Sequence, residues 1–92
     1  PLVLTISGFY NFFRKLLLYH GLGDKSKAVS LLGISPYFVR DFEYASKKFS
    51  LKQASKAITL ILEADLKSKG VGVKSSNHLH IIQDLLVKIF AV

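Results

Sequence analysis

The chain has no cysteine, no methionine and no tryptophan, and only two prolines among its 92 residues. Without cysteine it can build neither a disulfide framework nor a thiolate metal site, and the composition fits a reducing, cytoplasmic setting. Acidic residues are scarce as well. Six Asp and Glu stand against thirteen Lys and Arg, and the resulting charge of +7 favours acidic partners or non-specific attraction to nucleic acid without defining a site. There is no long uninterrupted apolar run. The most apolar stretch, residues 2–19, is broken by Arg14 and Lys15 and carries Ser7 and Asn11 on the same side, which argues against a membrane span or a signal peptide.

Chemistry-bearing patterns are missing too. No G-x-x-x-x-G-K-[ST] phosphate loop, nucleophile motif or zinc spacing occurs. His78 and His80 are two residues apart, a spacing that points them to nearly opposite sides of a helix, and His20 is remote from both. Glu63 and Asp65 diverge for the same reason and cannot share a proton. The expectation is a non-catalytic chain with no cofactor and no metal.

What is present is apolar and helical. Half the residues are hydrophobic and the mean hydropathy is +0.34, more apolar side chain than one small core can hide, so some of it should meet a partner. Pro1 opens directly into Leu2, Val3 and Leu4 without an initiating Met, the look of a piece of a longer protein. Residues 1–92 read as a single helical oligomerisation domain.

Residues 1–20 have helical spacing through Leu2, Ile6, Phe9, Phe13, Leu16 and Leu17, and Gly21 and Gly23 end the helix. A brief helix over 24–32 is capped by Asp24 or Ser26 and stopped by Gly33. Ser35 and Pro36 then supply a cap and a first helical residue for a third helix reaching Phe49. In it Phe38, Phe42, Ala45 and Phe49 share a face. Ser50 with Gln53 reads as a capping box opening a fourth helix to about Lys69, whose apolar face is Leu51, Ala54, Ile58, Ile61 and Leu62, with Glu63 and Lys67 as an exposed pair. Gly70 and Gly72 stop it. After a loop, Ser76 or Asn77 caps a last helix whose stripe is Leu79, Ile82, Leu85, Leu86, Ile89 and Phe90. No run alternates with period two, so the expected fold is an all-α, compact five-helix bundle.

Three segments carry a resemblance: LGISPYFVRDFEYASKKFS, the helix end LILEADLKSKG, and the opening FYNFFRKLLLYH. Together they resemble the C-terminal domain of the delta subunit of bacterial DNA polymerase III, a clamp-loader subunit. The likeness covers nearly the whole chain and is densest over residues 32–70. It implies a collar-type helical domain that assembles with the gamma or tau subunits and the delta-prime subunit to support sliding-clamp loading in DNA replication. In that family the ATP sites lie in other subunits, and the sliding clamp is bound through an N-terminal region not contained in these 92 residues.

The competing reading is a helix-turn-helix DNA-binding module. Val29, Gly33 and Val39 match its spacing, and Tyr37, Arg40, Tyr44, Lys47 and Lys48 would decorate the recognition helix. Against it, that helix opens Ser-Pro-Tyr-Phe with no base-reading side chain before Arg40, and Asp41 and Glu43 would flank phosphates.

The expected core is Phe9, Phe13, Phe38, Phe42, Phe49, Ile58, Ile61, Ile82 and Leu86. Residues left off the apolar stripes, Leu4, Leu18, Tyr37, Arg40, Tyr44, Ile81 and Val87, are the candidate partner contacts. Asp65 falls within an apolar stripe, where a carboxylate needs a basic side chain or a helix start to accept from, and is expected to act as a structural tie.

Overall fold

The computed structural model describes residues 2–70 and 78–92, the side chains of 2–4 and 78 excepted. It is an all-α bundle of five helices: α1 (Leu2–Gly21), α2 (Ala28–Leu32), α3 (Val39–Lys48), α4 (Leu51–Ser68) and α5 (His78–Phe90). No strand occurs among the described residues. The expected caps Ser76 and Asn77, the loop before them and Gly72 lie outside the described residues.

Local chemistry sets the helix boundaries. Lys25 reaches back so that its Nζ donates to the carbonyls of His20 and Leu22 at 3.2 and 2.9 Å, satisfying acceptors that the end of α1 leaves open. The Asp24 carboxylate accepts from the Ser26 amide and hydroxyl at 3.0 and 2.6 Å, and these bonds hold its pKa below the ordinary value. The Ser35 hydroxyl accepts from the Tyr37 amide, and Ser50 and Gln53 form the full capping box at the start of α4.

Gly33 follows α2 at φ +66°, the left-handed conformation that an L side chain adopts only at a cost. A Cβ added there would meet nothing within 4 Å, so the cost is conformational alone. Gly33→Ala is expected to lower stability by about 1 kcal/mol, read as a shift in urea midpoint with an unchanged slope.

α1 and α4 form the central antiparallel pair. At one end the His20 Nε2–H donates to the Phe49 carbonyl at 2.7 Å; at the other, Ile6 and Tyr10 border Ile61, Leu62 and Asp65. The carbonyl can only accept, so it fixes Nε2 as the protonated ring nitrogen. On α4 the small residues Ala54, Ala57 and Ala64, with Ile61, are all buried in the core. Leu16 of α1 is fully buried in the same core. α5 packs on α4 and α3 on α1.

Aromatic rings extend this core: Phe13 stands edge-on to Phe12 and to Phe49, each at 5.3 Å between centroids, and Phe12 lies 4.9 Å from Phe42. The body measures 46 × 23 × 17 Å, about two helices thick, so most helices keep one side open to solvent.

Three expected features are corrected. Phe38 is 56% exposed and not core: it ends the 3-10 turn Pro36–Phe38 ahead of α3 and lines an open groove beside the buried Phe42. Leu51 and Leu62 are exposed while the alanines take the core side of α4. α5 is rotated about its axis from the expected stripe: Ile81, Ile82, Leu85 and Ile89 face the core, and Leu79 and Phe90 are exposed.

Candidate interaction surface

α3 and the 3-10 turn before it present the most exposed aromatics. Tyr37 is 92% and Tyr44 73% exposed, and Arg40 stands between them at steps of three and four residues, so the three side chains share one side. Lys47 extends the stripe but is drawn to Glu43 at 4.0 Å, a weak exposed pair. Beside it, Phe38 lines a groove with Phe12, Ile34 and Phe42, about 320 Å³ in volume.

α5 presents the second apolar surface. Val87 and Phe90 are 70% and 65% exposed, and Phe90 reaches the core only through Phe49, 6.2 Å away between ring centroids. Ile81, expected to stand off the stripe, is half-buried against the core and is less open to a partner than the other candidates. Leu18 is half-exposed on α1, and the side chain of Leu4 lies outside the described residues. The structure therefore groups Tyr37, Arg40 and Tyr44 on one surface, and places Leu18 and Val87 on other helices.

Sequence reasoning missed Phe38, Phe90, Leu62 and Leu66, all at least half exposed, because each sits in an otherwise valid helical stripe. Leu62 borders a groove of about 220 Å³ with Tyr10 and Asp65.

Asp65 accepts from Lys69 Nζ at 2.9 Å, one turn along α4, with its side chain 30% exposed. The tie closes within its own helix instead of between helices. Lys88 and Asp84 of α5 make a similar pair at 2.9 Å; that hydrogen bond lowers the Asp84 pKa and raises that of Lys88. In place of the expected Glu63–Lys67 pair, Lys67 bears electrostatically on Asp84 and Glu63 on Lys88 from one helix to the next, without an ion pair between them among the described residues.

Among the described residues no three His, Cys, Asp or Glu side chains gather where they could hold a metal, and no helix is long and apolar enough to cross a membrane. The fold defines an all-α five-helix bundle with large apolar side chains left on its surface. Set against protein-family models, curated proteins and solved structures, the chain has no match.

Proposed function

We propose that this chain is the collar-type assembly domain of a clamp-loader delta subunit and acts in the cytoplasm by surface association, without chemistry of its own. It joins the gamma or tau and delta-prime subunits so that the complex can load the sliding clamp during replication. The family resemblance of the LGISPYF, KKFSL and EADLKSKG segments points to those partners. The structural observation that supports association is the outward stripe of Tyr37, Arg40 and Tyr44, two residue types that dominate binding energy at protein interfaces and here contribute nothing to the core.

The test is capture of gamma and delta-prime from the same organism by the immobilised chain, with a labelled DNA duplex in parallel at moderate salt. Capture of the subunits is expected. The Tyr37→Ala, Tyr44→Ala double variant, folded because both rings are solvent-exposed, is expected to lose at least about tenfold in affinity, since each interfacial tyrosine contributes more than ~1 kcal/mol. Sequence-selective capture of the duplex without the subunits would instead establish the helix-turn-helix reading, with Arg40 and Lys47 deciding affinity.

A further inference from the structure

Between the first half of α4 and the end of α5 runs an open groove of about 560 Å³. Its floor is apolar, formed by Leu60, Ala91 and Val92, and its two rims are cationic: Lys52 and Lys56 on α4, Lys88 on α5. The position of α5 is held at this point by Gln53, whose Nε2 donates to the Val92 carbonyl at 3.1 Å. No acidic side chain lines the groove; Asp84 pairs with Lys88 at 2.9 Å and so neutralises the α5 rim, while Lys52 and Lys56 carry the free positive charge of the α4 rim.

We infer that this groove is a docking site for an amphipathic helix of a partner protein that carries acidic residues beside its apolar stripe, on the flank that faces Lys52 and Lys56. Three observations on the groove select that occupant. An apolar floor excludes a purely ionic ligand as the best fit, because its desolvation is favourable only beneath another apolar surface. Lys52 and Lys56 on the α4 rim ask for carboxylates on the side of the stripe that faces them, as a helix with Asp or Glu beside its leucines provides, whereas Lys88 is already paired with Asp84. Lys52 to Leu60 spans about 12 Å of α4 at 1.5 Å per residue, room for a little over two turns of a docked helix. A second copy of this chain is the wrong occupant: with a net charge of +7, apposing two such grooves sets lysine against lysine. The inference stands apart from the clamp-loader reading, since it names the chemistry of the bound segment and not its source.

The test uses a fluorescent synthetic peptide of about 18 residues with leucines at i, i+3, i+4 and i+7 flanked by glutamates, read by anisotropy. Two comparison peptides keep the leucines with lysine flanks, or keep the glutamates with serines replacing the leucines. The acidic amphipathic peptide is expected to bind and both comparisons to fail. Lys52→Glu with Lys56→Glu should weaken binding at least about tenfold, whereas Lys27→Glu with Lys48→Glu, the same charge change away from the groove, should weaken it less than about threefold.

All four lysines are exposed, so circular dichroism should show every variant folded. Absence of binding overturns the inference, as does equal loss in the two double variants, or equal binding of the leucine-free acidic peptide. Phosphatidylglycerol vesicles run in parallel: binding to them in place of the peptide overturns it in favour of an anionic lipid surface. Concentration-dependent dimerisation abolished by the Lys52 and Lys56 changes would overturn it in favour of self-association.

Discussion

Phe13→Ala is expected to remove about 3–5 kcal/mol of stability, a large share of the roughly 5–15 kcal/mol that a domain of this size commands. Phe13 is buried in α1 with its ring edge-on to Phe12 on one side and Phe49 on the other, both at 5.3 Å. Phe49, which follows α3, continues the contact to Phe90 of α5, so this ring ties α1 to the end of α3 and through it to α5, while its neighbour Phe12 reaches Phe42 of α3. Truncation loses the transfer free energy of the ring, two edge-to-face contacts and the packing around the space left behind.

The relief available by collapse is small, because the neighbouring rings are large and rigid, Phe12 fixed on α1 beside Phe13 and Phe49 at the end of α3. Phe13→Leu restores most of the volume but not the ring geometry and should cost less than half as much. Phe38→Ala, which removes an exposed ring on the same aromatic side of the molecule, should change stability by no more than about 0.5 kcal/mol. Urea denaturation of the three variants measures this ordering. A Phe38 effect as large as that of Phe13 would place Phe38 in the core.

What the sequence alone made legible was punctuation. Ser50 with Gln53, Ser35 with Pro36, Asp24, and the glycines at 33 and 70 mark helix ends through side-chain hydrogen bonds and backbone conformations that are local in sequence, and each stands where it was read. Less legible was which side of each helix faces inward. The stripe read in α5, Leu79, Ile82, Leu85, Leu86, Ile89 and Phe90, is wider than the surface that the bundle covers, and the packing keeps Ile82, Leu85 and Ile89, adds Ile81 and leaves Leu79 and Phe90 exposed.

α4 shows a different cause. Hydrophobicity ranks Leu51 and Leu62 above Ala54, Ala57 and Ala64, but a close helix pair selects for small size, and the leucines are turned out. Of the candidate contacts, the exposure of Tyr37, Arg40 and Tyr44 was legible, because Arg40 and Tyr44 lie opposite the buried Phe42 on a short helix with one clear apolar side and Tyr37 stands in the turn just before it. The lysine-rimmed groove was not. Its rims come from residues 52 and 56 and from residue 88, and nothing local in sequence brings those stretches together.

The seam that chose alanine over leucine also gives the second large effect. Ala57→Leu is expected to destabilise the fold by about 1–3 kcal/mol even though leucine is the more hydrophobic residue and an equally good helix former. Ala57 and Ala54 have no exposed surface, and they lie in the core that also holds the fully buried Leu16. The three added carbons must be housed inside a closed core, so either a neighbouring helix moves away or side chains leave their preferred rotamers.

Moving α1 is resisted at both ends. The His20–Phe49 hydrogen bond holds one, and the packing of Ile6 beside Ile61 holds the other. The strain should therefore appear as lost stability and not as a rearranged bundle, with helical content by circular dichroism unchanged below the unfolding transition. Ser55→Leu provides the control on the same helix: position 55 is exposed, so the same leucine should be neutral there to within about 0.5 kcal/mol. Were Ala57→Leu neutral as well, the close approach of α1 and α4 would not be what places the leucines of α4 on the surface. Their exposure would then need a cause outside the packing of this chain, such as a partner that covers them.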